Sequence, residues 1–337
     1  MRLASELEVK DSGIAAAKAQ AEVNMSPKRT WIITAFAALY FVWGSTYLFI
    51  RFAIDSIPPF LMAGSRYLTA GLLMYVAARA QGARRPALVT WRSSLVIGGF
   101  LLLGGNGGVT ISEQYIDTGL AAVIVATVPI YIVLLSWATG ATPRPRLPVL
   151  LGLAGGFIGV GILMAPSMHF SANESQHPGI GILILLVASL LWSIGSLYSR
   201  SAKNADSPFL AAGQQMICGG ALLLLAGLIT REKFHPAAIS AHSIWAWIYL
   251  VLIGAIIGFS AYIYLLRHCD PAKVATYAYV NPIVAVILGA FFAGEHLTSR
   301  TIVAAALIIG SVAIVITTQQ LRPKSVPPVS AALAEAD

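Results

Sequence analysis

The chain has 337 residues, 57% hydrophobic and only 11% charged, with a formal net charge of +8. A soluble domain carries about 25% charged residues, so this composition cannot cover a water-facing surface of ordinary size and specifies an integral membrane protein. Its basic residues are scattered singly or in pairs between apolar runs, as topology signals are, which excludes a nucleic-acid partner; Cys218 and Cys269 lack the spacing of a disulfide framework or metal site.

Residues 1–30 mix both charge signs without a continuous apolar core and read as a disordered cytoplasmic tail, as do the Pro-rich residues 322–337. Between them lie ten apolar segments, at 31–54, 59–80, 94–115, 118–138, 148–165, 179–200, 208–230, 243–266, 273–293 and 300–321. Each is close to the roughly 20 residues that a spanning helix requires. With the N-terminus inside, 17 Lys and Arg residues fall on the cytoplasmic side and four on the other, with Arg66 left within a span. Both termini are therefore expected in the cytoplasm.

In the first segment, Tyr40, Trp43 and Tyr47 recur at spacings of three and four and share a face that Arg51 continues. Such a face can wall a path for amphipathic substrates, or serve as an interfacial belt or packing surface. In the second, Arg66 lies well inside the span, where it costs roughly 2.5–3.5 kcal/mol unless it faces protein or water. Its partner is either a substrate carboxylate or a structural acceptor. In the third, Asn106, Thr110 and Glu113 form a polar stripe within "LLLGGNGGVTISEQ", whose glycines permit close helix approach or local unwinding.

Internal repetition organises the whole chain. An offset of 149 pairs Trp43 with Trp192, Arg66 with Gln215, Pro59-Phe60-Leu61 with Pro208-Phe209-Leu210, and Gly71 with Gly220. An offset of 153 pairs Pro129-Ile130 with Pro282-Ile283. Residues 31–165 and 179–321 thus read as two five-helix repeats. Because five is odd, the second enters the membrane inverted, the symmetry that alternating access uses. Pro129 and Pro282 are candidate paired hinges or static kinks, and Asn281 is placed to cap freed backbone or face substrate.

The stretches "WGSTYLFIR" (43–51), "PPFLMAGSRYLTAG" (58–71), "GLAAVIVATVPIY" (119–131) and "ATYAYVNPIVAVILGAFFAGEHL" (275–297) resemble the EamA-like branch of the drug/metabolite transporter superfamily. The resemblance covers nearly all of 31–321 and implies a ten-helix, inverted-repeat transporter of the bacterial inner membrane, with members that export amino acids and related metabolites. The substrate path is expected among Tyr40, Trp43, Tyr47, Arg66, Asn106, Thr110, Trp192, Gln215, Tyr262, Tyr277 and Asn281, with Glu113 and Glu295 as gate or coupling residues. No catalytic centre, cofactor or metal is expected, since Walker A, HExxH, CxxC and GxSxG patterns are all missing. The partners expected are a small molecule and the lipid bilayer. Oligomeric state stays open and a monomer is compatible with the pattern. A multidrug or other metabolite carrier or exchanger is the alternative, followed by a channel or a membrane-embedded enzyme.

Overall fold

The computed structural model describes residues 29–142, 144–164, 178–269, 274, 277–295 and 298–320. Among these residues the regular structure is helical throughout. Helix α1 spans Arg29–Ile54, α2 Pro59–Ala80 and α3 Leu88–Ser112, while α4 covers Thr118–Ala138 with an interruption at Ala126-Thr127, and α5 covers Leu147–Met164. The second half supplies α6 (Pro178–Ser201), α7 (Pro208–Ile229), α8 (Ala241–Tyr249 continued by Leu250–Ile257 and Gly258–His268), α9 (Tyr277–Phe292) and α10 (Ser299–Gln320).

Among the described residues seven helices are long and apolar enough to cross a membrane: α1 to α4, α6, α7 and the Ala241–Tyr262 part of α8. The apolar stretches Leu147–Gly159, Val280–Phe292 and Ser299–Ile314 in α5, α9 and α10 are shorter. The expected tails lie outside the described residues, except that Arg29 and Thr30 already belong to α1. Helix α3 starts at Leu88 rather than near 94, because its first turns are buried: Thr90, Ser93 and Ser94 face inward, and Gln214 of α7 donates to Thr90 Oγ at 3.2 Å. Large apolar side chains such as Phe41, Leu228 and Phe291 point outward, with Phe291 81% exposed, the inside-out surface that lipid rather than water favours.

Helix ends recur at the offsets found in the sequence. At the end of α2, Gly82 (φ 87°) donates to Arg79 O at 3.1 Å and Ala83 N–H to Ala78 O at 3.0 Å. At the end of α7, Arg231 (φ 56°) donates to Leu228 O at 3.1 Å and Glu232 N–H to Gly227 O at 2.9 Å. Both are Schellman closures, which satisfy the last helical carbonyls through one left-handed residue. Helices α4 and α9 also end at left-handed glycines, Gly140 (φ 72°) and Gly294 (φ 65°), one residue out of the 153 register, while the bond from Thr142 N–H to Ser136 O (3.1 Å) is matched in that register by Glu295 N–H to Gly289 O (3.2 Å). Helices α3 and α8 each contain an eight-residue π-helical stretch, Gly99–Asn106 and Leu250–Ile257.

Contacts follow the same rule. Helix α2 packs along α7 and α5 along α10; α1 packs against α8 and α9, as α6 does against α3 and α4. Exchanging each helix for the one five places later maps this contact set onto itself. Small residues permit the central contact: a Cβ on Gly71 would lie 2.8 Å from Ile217 N, and one on Gly220 2.6 Å from Leu68 N. The α2 and α7 backbones therefore touch directly, which is how helices gain packing contact where no hydrophobic driving force separates them from lipid.

Candidate functional site

Where α1, α4 and α9 meet one another they leave a cavity of about 120 Å³. Helix α1 places Trp43, Thr46, Tyr47 and Ile50 on its wall, one helical face set by spacings of three and four. Helix α2 adds Arg66 and Tyr67, α3 Asn106 and Val109, α4 the stretch around Pro129, α6 Trp192, α8 Gly254, Ala255 and Phe259, and α9 Tyr277, Asn281 and Pro282. Both halves of the chain contribute lining residues.

One group on its wall is aromatic. Trp43 packs edge-on against Tyr277 at 5.1 Å between ring centroids, tilted against Tyr262 at 5.2 Å and edge-on against Phe259 at 5.7 Å. These separations lie within the range where ring quadrupoles attract. Gly258 makes room for this group, since a Cβ there would lie 2.5 Å from Trp43 Nε1. Thr46 Oγ donates to Trp43 O at 2.7 Å, which keeps that hydroxyl on its own helix.

A second group on the wall is polar and charged. Arg66 is 4% exposed. Its Nη2 donates to Asn106 Oδ1 at 2.9 Å and to Tyr67 OH, and its guanidinium carbon lies 4.2 Å from the Tyr67 ring centroid. Its Nε and Nη1 are buried without an acceptor. Asn106 ends the π-helical stretch of α3, where wider winding turns its side chain toward α2.

The two prolines face the cavity from opposite repeats, with different local structure. In α4 the helix breaks at Ala126-Thr127 and restarts at Val128, placing Pro129 in a first turn, where a missing N–H costs least. In α9, Pro282 sits inside the helix. Asn281, with its amide nitrogen facing them, donates to Tyr277 O at 3.3 Å and to Tyr40 O at 3.2 Å, tying α9 to α1 at the kink.

Of the residues expected along the path, Trp43, Tyr47, Arg66, Asn106, Trp192, Tyr277 and Asn281 line the cavity together with both prolines. Tyr262 stands behind Trp43 and Tyr277. Tyr40 is one turn away against Phe36, and Thr110 Oγ bonds Asn106 O at 2.9 Å. Gln215 turns toward Asn204, to which its Nε2 donates at 3.4 Å. Glu113 is fully buried with both carboxylate oxygens lacking a partner, while its backbone carbonyl accepts from Arg51 Nη1. Glu295 caps α4, accepting from Thr118 N–H (2.8 Å), Thr118 Oγ (2.5 Å) and Gly119 N–H (3.1 Å).

Sequence reasoning missed Tyr67, Phe259 and the cap Glu232, which accepts from Phe60 and Leu61 N–H at 2.9 Å each. Tyr67 carried a weak signal as the neighbour of a buried arginine. Phe259 carried none, because one more aromatic in an apolar run looks like a lipid-facing residue.

Comparison with known proteins agrees with this architecture. The EamA-like transporter family matches residues 29–165 and again 179–317, one match in each half. The inner membrane transporter YedA of Escherichia coli strain K12 is 37% identical over 292 residues, covering 86% of this chain and 92% of its own length. The Bacillus subtilis transporter YvbV is 27% identical over 288 residues, covering 85% of this chain and 91% of its own. A solved crystal structure at 20% identity superposes with a TM-score of 0.59 over 87% of this chain and 100% of its own, and so shares the fold. With both halves matched, the chain belongs to the EamA-like transporter family and is a membrane transporter of that type.

Proposed function

We propose that this protein is a multi-pass carrier of the inner membrane that exports small metabolites, most of all amino acids with an apolar or aromatic side chain, by alternating access. The observation that carries this reading is a cavity lined from both halves of the chain by aromatic rings and by the buried cation of Arg66. A membrane enzyme would need a reactive constellation there, and a channel would need a continuous polar path.

On this reading α1 to α10 all cross the bilayer as two inverted five-helix repeats with both termini in the cytoplasm. The matched helix closures, the paired π-helical stretches and the exchange-symmetric contacts support it. Pro129 and Pro282 act as hinges, and the rocking of one repeat on the other exposes the cavity to each side in turn. A monomer contains the whole path.

Counterflow in liposomes tests the proposal. The purified chain, reconstituted and preloaded with unlabelled phenylalanine, should accumulate external radiolabelled phenylalanine transiently and saturably. Non-saturating flux would indicate a channel, and no flux for any amino acid of a full panel would overturn the substrate class.

A further inference from the structure

The geometry around Arg66 points to a carboxylate-recognition point: we propose that the substrate binds with an anionic carboxylate on the free edge of Arg66 and its apolar body against Trp43, Trp192 and Tyr277. This rests on the carrier reading of the cavity and deepens it by assigning one residue the selection of substrate charge.

A guanidinium carries five N–H donors and no acceptor. In Arg66 the two on Nη2 are taken by Asn106 Oδ1 and Tyr67 OH, whereas the one on Nε and the two on Nη1 are buried without a partner. A buried charged donor left unmade costs on the order of 1–3 kcal/mol or more, so three such N–H groups are not a resting arrangement that packing alone would favour. Both occupied acceptors are neutral. Among the described residues no carboxylate hydrogen-bonds this guanidinium: Glu113 makes no side-chain hydrogen bond, and the carboxylates of Glu232 and Glu295 are taken up by the N-termini of α2 and α4. The Nε and Nη1 edge of the guanidinium therefore has no hydrogen-bond acceptor among the described residues.

A cavity ligand can supply one. Charge-assisted bonds from guanidinium to carboxylate are about twice as strong as neutral ones, and in this water-poor setting the gain over a neutral acceptor grows. Tyr67 and Asn106 hold the guanidinium from one side, so its orientation is set before a ligand arrives. The aromatic wall then favours an organic anion over an inorganic one, because a small hydrated anion would leave the faces of Trp43, Trp192 and Tyr277 empty.

Three probes that share a phenyl ring separate the possibilities: 3-phenylpropionate, phenethylamine and phenylalanine. Binding of radiolabelled 3-phenylpropionate to the full chain in nanodiscs, with displacement by the other two, should rank both carboxylates above the amine. Arg66→Gln should weaken carboxylate binding by roughly 10-fold or more, and Arg66→Lys by less, since it keeps charge but loses the planar donor set. The wild-type ranking needs no variant, so it stands even where Arg66→Gln fails to fold. Displacement by phenethylamine as effective as by phenylalanine overturns the assignment, as does unchanged carboxylate binding in folded Arg66→Gln or no binding of any probe. Carboxylate binding with no phenylalanine counterflow would leave Arg66 as the anion site and count against the carrier reading alone.

Discussion

At the scale of single residues the structure separates positions that the sequence can only nominate. Arg66 was legible because a charge inside an apolar run has few reasons to be there, and burial of that charge demands partners. Its repeat mate was less so. Gln215 sits at the matching offset yet turns toward Asn204, while Gln214 is fully buried and reaches Thr90. One residue is a 100° step around a helix, so an alignment correct in register along the axis still leaves the facing undetermined. Glycines allow a sharper test. Gly71→Ala would place a Cβ 2.8 Å from Ile217 N and Met216 Cβ, and Gly220→Ala would place one 2.6 Å from Leu68 N, backbone contacts that cannot yield without separating α2 from α7. Each should destabilise the protein by about 1–3 kcal/mol, the usual cost of overpacking, read as a lowered midpoint in thermal unfolding in detergent. Gly310 in α10 has nothing within 4 Å of its would-be Cβ, so Gly310→Ala should leave the midpoint within error.

At the scale of elements the sequence placed the helices well but missed what staples them together. Apolar length is a property of each segment, so it can be read locally; a carboxylate that caps a helix from the other repeat is a property of the fold. Glu232 follows α7 and caps α2, and Glu295 follows α9 and caps α4. In both, a negative side chain meets unpaired N–H groups and the positive end of the helix dipole. Gln at either position keeps the size and an acceptor but removes the charge. Glu232→Gln and Glu295→Gln should each cost roughly 1–2 kcal/mol of stability, and Glu→Ala more. The assay that distinguishes this from a coupling role is counterflow at several pH values: an unchanged profile with a lower unfolding midpoint fits a cap, whereas a flattened pH profile would assign Glu295 to coupling.

The prolines belong to this scale as well. Pro129 opens a helical piece after a break, while Pro282 interrupts a helix that continues on both sides and is tied to α1 through Asn281. Restoring an N–H at 282 stiffens α9 from within, whereas at 129 it is restored beside a break that already separates the two pieces of α4. If the hinges work as proposed, Pro282→Ala lowers the maximal counterflow rate several-fold with substrate affinity retained, and Pro129→Ala lowers it less. Weakened binding with an unchanged rate at either site would identify that proline as a static kink that shapes the cavity.

At the scale of the whole molecule the family match to each half and the 149 offset shared by the α2 and α7 closures fit the repeat read from the sequence. What the sequence could not supply is the pairing of helices across the repeats, because contacts between α1 and α9 or α4 and α6 join residues far apart in the chain. Orientation in the bilayer is a separate question, which the placement of Lys and Arg addresses. The caps of α2 and α4, the Ser56–Ser240 contact and the Arg51–Glu113 bond all gather at one end of the bundle. On the proposed topology, which rests on the distribution of Lys and Arg, 17 against four, that end would face the periplasm. Single cysteines introduced at Ser171 and Ser325, in a background with Cys218 and Cys269 replaced, report this directly. An impermeant maleimide applied to intact cells should label the first and spare the second until the membrane is opened. Labelling of Ser325→Cys but not Ser171→Cys in intact cells would invert the proposed orientation. Equal labelling at both positions would instead place the two sites on one side, which an even number of crossings between them requires and five crossings forbid.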